Sequence, residues 1–96
     1  MATVSNEMLD ELYEALLNLK TKEDCKLFLD DLCTKKEVEN MAQRVQAARL
    51  LLEGSTYIQV IEKTGISSAT LSRVSTCVKY GEGYNRIIKI KEDVSE

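Results

Sequence analysis

The 96-residue chain has no proline, no histidine and no tryptophan, with four glycines and three cysteines. Each shortage excludes something. Without histidine the commonest general base and metal ligand is missing. There is also no glycine-rich phosphate loop and no nucleophile paired with a base. The neighbouring carboxylates Asp30 and Asp31 sit in an acidic stretch and read as a solvated face, so no enzyme activity is expected. Cys25, Cys33 and Cys77 are odd in number and too far apart for a C-x-x-C pair, which argues against a zinc knuckle or a disulfide framework. They are expected to be small buried hydrophobes in a reducing compartment, with no metal and no cofactor. No apolar run approaches the roughly 18–20 residues of a membrane span. Residues 1–6 lack a basic segment leading into an apolar stretch, so no secretory signal is expected and the location implied is cytoplasmic.

What is present is 44% hydrophobic and 30% charged, a composition that folds. A lone chain of this length buries only about 60–65% of its unfolded surface, which favours subunit pairing. Apolar spacing is helical throughout, predicting one all-α domain of about six helices over residues 1–96. The first helix is expected from about Ser5 to Lys20, with Met8, Leu9, Leu12, Leu16 and Leu19 as its stripe. Thr21 and Asp24 suggest a cap for the second, whose apolar face is Cys25, Phe28, Leu29, Leu32 and Cys33. Thr34 to Glu37 is a fuller capping box. It opens a long third helix in which Val38, Met41, Val45, Ala48 and Leu52 recur at three- and four-residue steps, a seam for a helical partner. Gly54 closes that helix. A capping box from Thr56 to Gln59 starts a short helix, Gly65 turns the chain, and Ser67 caps a helix from about Ser68 to Tyr80. Gly81 and Gly83 are expected to end it, before a last short helix with Tyr84, Ile87 and Ile88 on one face. This divides the chain into dimerisation helices (1–54), a helix-turn-helix (55–80), and a short helix with a tail (81–96).

The segment Thr56–Lys79 carries the functional signal. A short helix, a glycine turn and a longer helix form a helix-turn-helix, whose second helix enters the DNA major groove. Val60, Ile66, Leu71 and Val74 are spaced to clamp the two helices together. That leaves Ser68, Ala69, Ser72, Arg73 and Thr76 facing outward, small, polar or basic as a groove-facing surface requires. The hydroxyls of Thr70 and Ser72 suit phosphates or bridging water. Taken as a total, the net charge of −3 discourages nucleic acid, but it is segregated. Residues 1–40 hold five basic and ten acidic side chains, residues 41–91 eight basic and three acidic. The basic block (Arg44, Arg49, Lys63, Arg73, Lys79, Arg86, Lys89 and Lys91) coincides with the helix-turn-helix half, the footprint of a double-stranded DNA binder. The alternative is a helical homodimer that docks an acidic protein through the same half, without sequence-specific DNA binding.

Three stretches carry a family resemblance: Arg44-Val45, the helix end Leu50-Leu51-Leu52-Glu53-Gly54, and the run from Thr64 to Val74. Together they resemble the Trp repressor superfamily, and with Lys79-Tyr80-Gly81-Glu82-Gly83-Tyr84 its YerC/YecD branch. The resemblance spans roughly residues 6–90, with Ala69-Thr70-Leu71-Ser72-Arg73 its most specific part. It implies an intertwined homodimer with two reading heads, acting as a transcriptional regulator, most simply a repressor. A two-fold dimer reads a pseudo-palindromic operator with half-sites about one helical turn apart. Ala69, Thr70 and Lys79 match positions of the family that contact DNA. Ser68 and Ile58 depart from residues of its DNA-binding surface, which implies a different operator. Arg44 and Arg73 match the arginines that sandwich the tryptophan co-repressor, and Thr34 matches a threonine at that ligand site. Val74, however, stands where the family's ligand site has glycine, and Cys77 where it has a serine. A bulky side chain in the indole cavity and a lost polar partner both argue against tryptophan as a ligand here.

Overall fold

The computed structural model describes residues 3–88, so Lys89, Lys91 and the acidic tail expected to follow them lie outside the described residues. The described residues form six helices and no strands. They fall into two compact units, one within Met1–Lys35 and the other within Lys36–Glu96.

The first unit holds α1 (Asn6–Leu17) and α2 (Lys22–Leu32). Ser5 caps α1, its hydroxyl accepting from the Met8 amide at 3.2 Å. The helix stops at Leu17, short of the expected Lys20. Two i→i+3 bonds tighten its end, Asn18 N to Ala15 O and Leu19 N to Leu16 O, both 3.1 Å. The next amide, that of Lys20, donates to the Asp24 carboxylate at 3.2 Å. The same aspartate's amide donates to the Thr21 hydroxyl at 3.0 Å, so the start of α2 takes the residue that would have prolonged α1. No residue of either helix is buried. Leu17 is 81% exposed and Leu27 57%.

The second unit holds α3 (Lys35–Leu52), α4 (Tyr57–Thr64), α5 (Ser68–Tyr80) and α6 (Gly83–Ile87). Helix α3 begins directly after Thr34 and ends where Gly54, at φ 102°, turns left-handed. Gly54 N donates to Leu51 O at 3.0 Å and Ser55 N to Leu50 O at 2.9 Å, the two bonds of a Schellman end. Helix α4 opens on a reciprocal box: Gln59 N donates to the Thr56 hydroxyl, and Thr56 N to the Gln59 carbonyl oxygen. The core comprises Ala47, Ala48 and Leu50 of α3, Val60 of α4, Ile66 of the turn, and Leu71 and Val74 of α5. The whole predicted clamp is therefore buried.

In the single chain, Ala48 of the α3 seam expected to meet a helical partner is buried, and Val45 is half exposed. The core takes Ala47, Ala48 and Leu50 from α3. Two expectations need correction. Gly83 opens α6 rather than closing α5, and Ile87 is 70% exposed while Tyr84 and Ile88 pack on the core. The cysteines are not buried: Cys25 and Cys33 are half-buried, Cys77 is exposed, and all three are free thiols. Gly81 is held by close approach, since a Cβ there would lie 2.8 Å from the Cys77 carbonyl oxygen. No described helix is long and apolar enough to cross a membrane.

Candidate nucleic-acid interface

The site is built on the turn between α4 and α5. Gly65 ends α4 at φ 74° and ψ 10°, a conformation glycine reaches without strain. Before it, the Thr64 hydroxyl donates to Val60 O at 2.8 Å and accepts from Ile66 N at 3.1 Å. The Thr64 carbonyl accepts from Gln43 Nε2 of α3 at 2.9 Å. Ser67 then caps α5, accepting from Thr70 N at 3.2 Å. Burial of Ile66 and Leu71 fixes which side of α5 faces inward.

The outward side contains most of the residues expected to read DNA. Ser68, Ala69, Ser72, Arg73, Thr76 and Lys79 are all exposed. Thr70 differs: it is half-buried, and its hydroxyl is bonded to that of Ser67 at 3.0 Å, so its first role is to complete the cap. Thr76 donates to Ser72 O at 3.1 Å, which leaves its methyl as a free contact group. Helix α5 has no acidic residue. Ser75, which the sequence pattern did not single out, is buried.

The basic residues do not contribute equally. Arg49 pairs with Glu53, Nη1 lying 2.9 Å from the carboxylate, so this charge is compensated on its own helix. Arg73, Lys63, Lys79 and Arg86 are exposed, and Arg44 is half-buried. Arg44 and Arg73 come together in a hollow of about 300 Å³ shared with Val74, Cys77 and Tyr84. That volume is at the lower end for small-molecule sites. Val74, only 2% exposed, is a core residue as well as a wall of this hollow. Thr34, the third expected ligand residue, belongs to the first unit. Among the described residues no cluster of side chains suits a metal ion.

Comparison with known proteins decides the lineage, because the sequence model of the Trp repressor protein family matches residues 7–92. The chain belongs to the Trp repressor family. Within reach of that family, the uncharacterized protein YerC of Bacillus subtilis (strain 168) is 44% identical over 90 residues, covering 92% of this chain and 86% of its own. A TrpR-like protein from Eubacterium eligens ATCC 27750 superposes with a TM-score of 0.85 at 34% identity, over 93% of this chain and 97% of its own. A candidate Trp repressor from Staphylococcus aureus gives a TM-score of 0.80 at 39% identity, over 84% and 82%. The all-helical architecture is thus that of Trp repressor-like proteins.

Proposed function

We propose that this Trp repressor family member is a sequence-specific, double-stranded-DNA-binding transcriptional regulator that works as a homodimer and represses by occupying its operator. The observation that carries the reading is the outward face of α5: small, hydroxylated and basic, without a carboxylate, and mounted on a buried four-residue clamp. Ser68 and Ala69 let the first turn approach base edges closely. Arg73 is suited to the O6 and N7 acceptors of guanine. Ser72, Thr76 and Lys79 supply phosphate or bridging contacts, and Thr70 shapes the cap between them. The apolar faces of α1 and α2, with the exposed edge of α3, assemble the dimer.

Tryptophan is not the co-repressor in this reading. Arg44 and Arg73 are both in the hollow, but Val74 occupies the wall where an indole would need room, and Cys77 offers a poor partner for an amino group. Calorimetric titration with tryptophan should show no stoichiometric heat. Binding to DNA is tested by salt titration. A reader of DNA loses affinity steeply as salt rises, yet keeps a preference for its operator over random duplex. A helical docking module for acidic proteins has no such preference.

A further inference from the structure

The hydrogen bond from Gln43 to the Thr64 carbonyl joins positions 21 apart in sequence, from the middle of α3 to the last residue of α4. The carbonyls of a helix's last turn lack partners within the helix. Here one is satisfied by a half-buried side chain from another helix. The same threonine continues the linkage, since its hydroxyl accepts from Ile66 N and donates to Val60 O. Gln43 is also close to the turn itself, its Nε2 lying 3.7 Å from where a Cβ on Gly65 would be. The next residue, Arg44, lines the hollow against α5. Adjacent residues of α3 therefore bond the end of α4 and line a hollow with residues of α5.

We infer that Gln43 is a positioning residue for DNA reading: its amide fixes the pitch of α4 and α5 on α3, and so the angle at which α5 meets the groove. The inference rests on the DNA-binding reading above, and Gln43 needs no contact with DNA itself. The mechanical consequence is specific. In a dimer whose subunits meet through α1 to α3, two loosely held heads tolerate half-site spacings that two rigid heads reject. Non-specific attraction to phosphate, which depends on charge alone, is unaffected.

The test uses Gln43→Met, which keeps length and bulk but cannot donate, and Gln43→Glu, whose ionised carboxylate meets the carbonyl as a second acceptor. Each full-length variant is titrated with the selected operator, with operators whose half-sites are moved by one or two base pairs, and with random duplex. Circular dichroism and sedimentation confirm fold and assembly. The expected result is about a tenfold weaker grip on the selected operator, the worth of one hydrogen bond. Binding to random duplex should stay the same in the uncharged variant Gln43→Met, and the penalty for altered spacing should shrink in both variants. Spacing penalties equal to those of the unaltered protein would overturn the inference while leaving DNA binding in place. Absence of any sequence preference in the unaltered protein would overturn the DNA-binding reading, and this inference with it.

Discussion

The two units solve the problem of apolar surface differently. The second gathers Ala47, Ala48, Leu50, Val60, Ile66, Leu71 and Val74 into a core of its own. The first is no less apolar in pattern, yet buries no residue on α1 or α2 and leaves Met8, Tyr13, Leu17, Leu27 and Leu32 exposed. Its sequence is also the acidic one, with four basic against eight acidic residues up to position 35. Leucines left outside fit the dimer interface proposed for the first unit, whereas a closed core fits the DNA-reading role proposed for the second. The difference accords with the proposed division into an assembly half and a reading half.

The sharpest way to break the comparison is to open the second core. Leu71→Ala removes a fully buried side chain at the centre of the clamp and should cost about 2–5 kcal/mol, read by denaturant unfolding. Unfolding unchanged within error would mean that the clamp is not what orders α4 and α5. In the first unit the same kind of change should act through assembly alone. Leu17→Glu alters a side chain already open to solvent in the single chain. It should convert dimer to monomer in sedimentation and abolish the concentration dependence of Tm. A dimer of undiminished affinity would remove α1 from the interface.

Next in size is Arg73→Ala, which should cost about 1–3 kcal/mol of specific DNA binding and relax preference at one base pair, measured by fluorescence anisotropy. Full retention of affinity by a folded dimer would take Arg73 out of the reading face. Smallest is Thr56→Ala, which removes one arm of the α4 capping box and should lower stability by about 1 kcal/mol with DNA preference kept. A loss of DNA preference without a loss of stability would show that Thr56 acts at the interface rather than as a cap.

Legibility in the sequence followed the same division. The helix-turn-helix could be read because its signals are local: the Thr56–Gln59 box, Gly65, the Ser67 cap and the spacing of Val60, Ile66, Leu71 and Val74 all lie within twenty residues. What was missed depends on contacts that residue spacing does not encode. Which edge of α3 is buried follows from where α4 and α5 lie, so the burial of Ala47 and Leu50 was not legible from spacing. Lys20 left α1 because Asp24, four residues on, took its amide. Gln43 gave no signal at all, since a polar residue on a helix reveals nothing of a carbonyl 21 positions away. Within the site, six of the seven expected reading residues are exposed, and Thr70 is drawn partly inward by its bond to Ser67. The basic block also overstated the available charge, because Arg49 is paired with Glu53.

The central claim, that the basic half reads DNA by sequence, is tested most directly by incubating the full-length protein with sheared genomic DNA at physiological salt and sequencing the retained fragments. The account predicts enrichment of a pseudo-palindromic motif with half-sites about 10 base pairs apart centre to centre. Retained fragments with the same sequence composition as the input pool would contradict it.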